Sequence, residues 1–189
     1  MLMIRASRSG VAATKPRPWR PEAIVVARPS DRTKGEVVIG GLRIPCALGR
    51  SGPKTTKREG DGATPRTLLV PVAILLRPGP FRPRTRLPVR LIRKDDGRCD
   101  DPASFRYNKP VKLPFAAGHE RMWRDDALYD VVIDTDWNLV PALRGRGSAI
   151  FIHIAREGFR PTEGCIAFTP KGMRSFLSRI DRIRGLRVL

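Results

Sequence analysis

The chain has 189 residues, 41 % of them hydrophobic, which suits one globular domain with a substantial core. Lys and Arg number 37 against 18 Asp and Glu, a formal net charge of +19, so anions are the expected partners: nucleic acid first, then acidic small molecules and anionic cell-envelope polymers. The arginines are spread along the whole chain without zinc-finger spacing, an RRM-type aromatic signature or a helix-turn-helix, and many read as solvated surface; the absence of any run of about 18 apolar residues argues against a membrane-spanning helix.

Residues 1–21 read as a basic tail rich in Pro and Arg, too poor in apolar residues for a secretory signal. A start at Met1 places the protein in the cytoplasm; an export signal would place it in the cell envelope or periplasm. The folded domain is expected over 22–189. "AIVVAR" (Ala23–Arg28) has strand composition. Gly40-Gly41 signals a hairpin turn between Glu36–Ile39 and Leu42–Leu48, with Leu42, Ile44 and Cys46 on one face. Cys46 is thus a small core residue. The segment 50–66, "RSGPKTTKREGDGATPR", is a polar loop of a length that is usually functional or disordered. "LLVPVAILL" reads as one strand-like run, and "VRLIRKDDGRCDDP" as a short strand and turn with Cys99 exposed or loop-bound. Residues 117–128 suit a short helix or an extended cover segment. Tyr129–Asp134 and "GRGSAIFIHI" read as strands, and "IAFTP" is short and apolar.

The helix with the clearest signals follows. Thr169 suits the N-cap and Pro170 the first helical position, and Met173, Phe176, Leu177 and Ile180 form one apolar stripe. Gly185 ends that pattern before a final strand, "LRVL". Strands dominate, so the fold class is mainly β, a sandwich or barrel with one helix packed on it.

Three widely spaced cysteines and two histidines, with no CxxC pair, argue against a disulfide framework and against structural zinc, leaving a single Cys46–Cys99 bridge open. Cys165 is different. Period two puts Phe151 and His153 on one face of their strand and Ile150, Ile152 and Ile154 on the other. If the chain returns after the loop so that the Cys165 segment lies beside that strand, imidazole and thiol come within reach, and the imidazole can take the proton that a thiol must lose to act as a nucleophile. Gly164, just before the cysteine, allows an unusual backbone angle, and the Gly164 and Cys165 N–H groups suit an oxyanion hole. Spacing alone leaves Cys165 open as either a core residue or a nucleophile.

"SAIFIHIAREGFRPTEGCIAF" resembles the L,D-transpeptidase catalytic domain, the YkuD-type family of peptidoglycan enzymes. His153 stands at the family histidine, and Thr162, Glu163, Gly164 and Cys165 at its [S/T]-x-G-C motif. Gly60, Asp61, Gly62, Thr64 and Pro65 match its "G-D-G-x-T-P" segment. The "HIAxxGFxPTxGCIA" pattern points to a compact subgroup. Two places depart from the better-known members: Glu163 stands where a histidine precedes the Gly-Cys, and Ala167 where an Asn or Arg follows the cysteine. The His-to-Cys loop is also shorter.

The resemblance implies a β fold with one helix and a thioester acyl-enzyme on peptidoglycan stem peptides or muropeptides. Cys165 would be the nucleophile and His153 the base, oriented by a backbone carbonyl near Ile154. The acyl group would be cut at diaminopimelate with release of D-alanine, then passed to an amine or, in an L,D-carboxypeptidase, to water. No metal or organic cofactor is implied. Arg146 or Arg144 would meet a substrate carboxylate, with a solvated turn arginine as the alternative. Thr162, Glu163, Trp123 and Tyr129 are the remaining candidates for the cleft, although Trp123 and Tyr129 also suit an anchor that packs their segment on the core. A basic module binding nucleic acid or an anionic polymer is the competing class, and it accounts for neither Gly164-Cys165 nor His153.

Overall fold

The computed structural model describes residues 20–79 and 81–189, so nearly all of the expected tail lies outside the described residues. The strands are β1 (Ala23–Arg28), β2 (Asp31–Ile39), β3 (Leu42–Ala47), β4 (Pro53–Lys54), β5 (Thr64–Pro65), β6 (Leu68–Leu69), β7 (Pro71–Leu76), β8 (Val89–Leu91), β9 (Asp96–Cys99), β10 (Pro110–Lys112), β11 (His119–Arg121), β12 (Val131–Thr135), β13 (Phe151–Ile154), β14 (Ile166–Phe168) and β15 (Leu186–Val188). The helix α1 spans Pro170–Leu177. A ten-stranded sheet has the order β6-β15-β1-β2-β3-β14-β13-β12-β7-β8, a three-stranded sheet the order β10-β9-β11, and β4 pairs with β5. The fold is mainly β with one packed helix, as expected. No described helix is long and apolar enough to cross a membrane.

The large sheet curls on itself. Only Val70 separates β6 from β7, yet the two strands lie near opposite ends of the strand order. The Val70 N–H donates to the Asp136 carboxylate at 2.8 Å, and its carbonyl accepts from the Asp136 N–H at 2.9 Å, clasping the two ends. "LLVPVAILL" is therefore two strands with a break. Inside the curl, Val25, Val37 and Leu186 from one end share a contiguous core with Ile74, Leu76 and Ile133 from the other.

The period of two sorts side chains between the faces. Ile74 and Leu76, Val131 and Ile133, Ile152 and Ile154, and Ile166 and Phe168 join the core that includes the helix stripe. Leu75, Val132, Phe151 and Cys165 join a second core with Tyr129, Leu128 and Met122. The β2–β3 hairpin turns at Gly40 (φ 50°) and Gly41 (φ 85°), the positive angles that a two-residue turn of this hand requires. At α1 the Thr169 hydroxyl accepts from the Gly172 N–H at 3.1 Å, and Met173, Phe176 and Leu177 are buried. The Phe168 and Phe176 rings pack 5.2 Å apart, so the strand into the helix and the helix itself anchor one another.

One expectation changes and two open alternatives are decided. Cys99 is fully buried in β9, between β10 and β11. Its charged neighbours misled because Arg98 turns inward to Asp134 instead of out to water. All three cysteines are free, and Cys46 and Cys99 lie in different sheets, so no bridge joins them. Residues 117–128 take the extended alternative: β11 and then turns. The Arg50–Arg66 loop is held together by Asp61, whose carboxylate accepts from the Lys57 ammonium (2.6 Å) and from the Arg58 (2.9 Å) and Ala63 (2.8 Å) N–H groups.

Candidate active site

β13 and β14 run side by side in parallel, with Ile152 opposite Ile166 and His153 opposite Ala167. Cys165 precedes β14 with the parity of Ala167, so it shares a face with Phe151 and His153 and lies diagonally across from the imidazole. His153 is 7 % exposed and Cys165 8 %. His153 Nδ1 lies 2.8 Å from its neighbour's carbonyl, Ile154 O. A carbonyl can only accept, so Nδ1 carries the proton and Nε2 is left with the lone pair. The Cys165 thiol does not bond to that imidazole. It donates to Ala149 O at 3.2 Å and accepts from the Phe151 N–H at 3.3 Å.

The loop between these strands is fixed to the rest of the body. Thr162 forms a bridge with Gly49: its N–H donates to Leu48 O at 2.9 Å, and its carbonyl accepts from the Arg50 N–H at 2.8 Å. The Thr162 hydroxyl donates to Cys165 O (2.7 Å) and accepts from the Gly164 N–H (3.1 Å), folding the turn into the cysteine. Gly164 has φ 132°, and a Cβ there would lie 2.7 Å from Ala63 O. Both conformation and space call for glycine, because the Asp61-organised loop presses against its backbone. The Gly60–Pro65 segment and the Gly-Cys turn are thus one packed unit, joined also by an Arg50–Glu163 ion pair at 2.8 Å.

A cleft of about 110 Å³ opens over this unit, lined by Cys165, His153, Tyr129, Glu120, Leu128, Pro161, Thr162, Glu163 and the arginines 124, 156 and 160. A larger cavity of about 710 Å³ lies between β8 and the three-stranded sheet and includes neither Cys165 nor His153. The smaller cleft holds both members of the candidate pair, Cys165 and His153. Burial pushes the Cys165 thiol up to about 12, with Glu120 adding to the shift and the Phe151 N–H and Lys57 opposing it. Burial lowers His153 to about 4, against the bond to Ile154 O. The resting pair is a neutral thiol beside a neutral imidazole. Tyr129 packs edge-on to His153 with centroids 5.3 Å apart and donates to Glu120 at 2.7 Å. Burial raises both of those groups above their usual values. Arg124 stacks over the Tyr129 ring and is bound to Asp126 at 2.6 Å.

Of the residues singled out from sequence, Cys165, His153, Tyr129, Thr162 and Glu163 meet in the cleft, and Ile154 supplies the carbonyl that holds the histidine. The Gly164 N–H is engaged by Thr162 in this state. Trp123, Arg144 and Arg146 do not line the cleft. Trp123 packs against the second core with Arg77 over its ring, and both arginines are exposed on the turn before β13. Sequence reasoning missed Glu120, Arg124, Arg156 and Arg160. The first two lie inside the "HERMWRDDALYD" stretch and the others inside the His-to-Cys loop, but only the covering of the sheet by β11 brings the two stretches together.

The sheet thus sets a histidine on one strand and a Gly-Cys thiol at the start of the parallel strand beside it, under a cover segment and a basic rim. The family model for the L,D-transpeptidase catalytic domain (YkuD) matches residues 22–185, and the chain belongs to that family. Neither a curated protein nor a solved structure matches the chain.

Proposed function

We propose that the protein is a cysteine acyltransferase acting on peptidoglycan stem peptides. The observation that carries the reading is the meeting of Cys165 and His153 in one cleft, with Nδ1 held by Ile154 O so that Nε2 is free to take a proton. Cys165 Sγ attacks the diaminopimelate carbonyl while its proton passes to Nε2, and the C–S bond forms. Because the resting pair is neutral, proton transfer accompanies attack and does not precede it. The tetrahedral oxyanion collapses, the C–N bond to D-alanine breaks, and the imidazolium returns its proton to the leaving amine. An acceptor amine, deprotonated by His153, then displaces the thioester. A histidine whose acid form is this strong is well suited to protonating the leaving group.

The stem peptide carries carboxylates, and Arg156 and Arg160 are the cleft-lining cations best suited to receive one, since Arg124 is held by Asp126. Ala167, at the position where better-known members carry Asn or Arg, is fully buried beside His153, and the loop arginines bring positive charge to the cleft instead. Incubation with a muropeptide tetrapeptide, with and without an added D-amino acid, tests the reading by mass. An exchanged tetrapeptide is the expected product. Tripeptide alone assigns water as the acceptor, and unchanged substrate overturns the proposal.

A further inference from the structure

Cys165 is held by a small network that the chemistry above does not use. Its thiol donates to Ala149 O, and Ala149 has φ 50°, a left-handed angle for a residue with a Cβ. The Ala149 N–H donates to Asn108 Oδ1 at 3.0 Å. Asn108 is 2 % exposed and itself left-handed (φ 55°). Its amide nitrogen donates to Trp137 O (3.0 Å) and Asn138 O (2.8 Å), and its own carbonyl accepts from Arg98 at 3.0 Å. Arg98 is in turn buried against Asp134 and lies 5.3 Å from the Phe151 ring centroid. Every polar atom of the Asn108 side chain is thus bonded to backbone on the approach to β13. An alanine alone would relax out of a positive φ, and the asparagine bond opposes that.

We propose that Asn108 is a positioning residue for the candidate nucleophile: by fixing Ala149 it holds that carbonyl against the Cys165 thiol and keeps the thiol protonated and turned from His153 while the cleft is empty. A carbonyl acceptor stabilises S–H over S⁻, and the bond must break before Nε2 can take the proton. This rests on Cys165 being the nucleophile. The charged and titratable groups around the thiol are His153 on β13, Glu120 on β11, Tyr129 before β12, Lys57 in the Asp61 loop, Glu163 in the Cys turn, Arg124 in the cover segment, and Arg156 and Arg160 in the His-to-Cys loop. None of them is hydrogen-bonded to Asn108.

The test reads the thiol and not turnover. Iodoacetamide labelling of the full chain is followed across pH by mass spectrometry, with the buried Cys46 and Cys99 as internal reporters of unfolding. Asn108→Gly keeps the backbone angle accessible and removes the side chain. It is expected to label Cys165 about tenfold faster at a given pH, with the midpoint about one pK unit lower. Asn108→Asp retains an oxygen opposite the Ala149 N–H but sets its other oxygen against Trp137 O and Asn138 O, so it is expected to label at a rate between those of Asn108→Gly and the parent. Equal Cys165 rates in parent and Asn108→Gly, equal rates in the two variants, or faster labelling of all three cysteines together would each overturn the proposal. Failure of the acyl-transfer reading shows separately, as turnover that survives Cys165→Ala.

Discussion

The two faces of the large sheet each carry a buried cysteine, and the contrast between them shows what distinguishes a core thiol from a candidate nucleophile. Cys46 lies on the face covered by α1, among Ile44, Phe168 and Phe176, and burial pushes it up to about 12. Cys165 lies on the opposite face and is pushed up to about 12 for the same reason. Burial and thiol acidity therefore do not separate them. What differs is the cover. The helix seals its face with apolar side chains. The three-stranded sheet covers the other only in part, leaves a cleft, and brings polar groups into contact: Glu120 with Tyr129, Tyr129 with His153, and Asn108 with Ala149.

The largest effect expected from breaking this contrast is on turnover. Cys165→Ala lowers stem-peptide turnover by about a thousandfold or more, while Cys46→Ala leaves it near the parent rate and lowers stability by about 1 kcal/mol. Urea titration beside the mass assay checks both, and comparable loss of turnover in the two variants would erase the distinction. A smaller effect concerns the rim. Arg156→Ala and Arg160→Ala are each expected to raise KM about tenfold, the scale of one charge-assisted hydrogen bond, with Cys165 labelling unchanged. An unchanged KM would move carboxylate recognition away from the loop.

The smallest effect is on stability against pH. His153 titrates near 4 in the fold against 6.5 for an ordinary histidine, so the unfolded chain binds the proton first. Stability from this group is present above 6.5 and falls as pH drops toward 4, by about 3 kcal/mol if nothing opposes it. Glu120 opposes it: its folded pKa is raised, so the native state takes up a proton before the unfolded chain and gains stability as pH falls. Glu120→Gln removes that gain. Urea midpoints at pH 7 and pH 4.5 are expected to differ more in the variant than in the parent, and equal differences would show that the two groups are not coupled to folding in this way.

The sequence by itself determined the local elements and singled out the two candidate groups, Cys165 and His153, that the structure places in one cleft. The Gly40-Gly41 turn, the Thr169 cap, the apolar stripe of α1 and the parity of His153 are short-range properties, set by backbone angle, one hydrogen bond or side-chain period, and the structure has them, except that α1 ends at Leu177 and Ile180, the last residue of the expected stripe, is buried in the 3-10 turn that follows. Gly164 was legible because a φ of 132°, unlike the left-handed angle that Ala149 and Asn108 adopt, is open to glycine almost alone. The tertiary structure decided the rest. Val70 splits one apolar run because the sheet curls, Cys99 is buried because Arg98 finds Asp134, and the cleft acquires Glu120, Arg124, Arg156 and Arg160 because a strand distant in sequence covers the β13–β14 loop. Arg144 and Arg146, close to His153 in sequence, stay outside the cleft, whereas Asn108, distant from the motif, reaches Cys165 through Ala149. The physical reason is common to these cases: period and turn chemistry act over a few residues, but burial and charge pairing are settled by partners that only the closed sheet brings within reach.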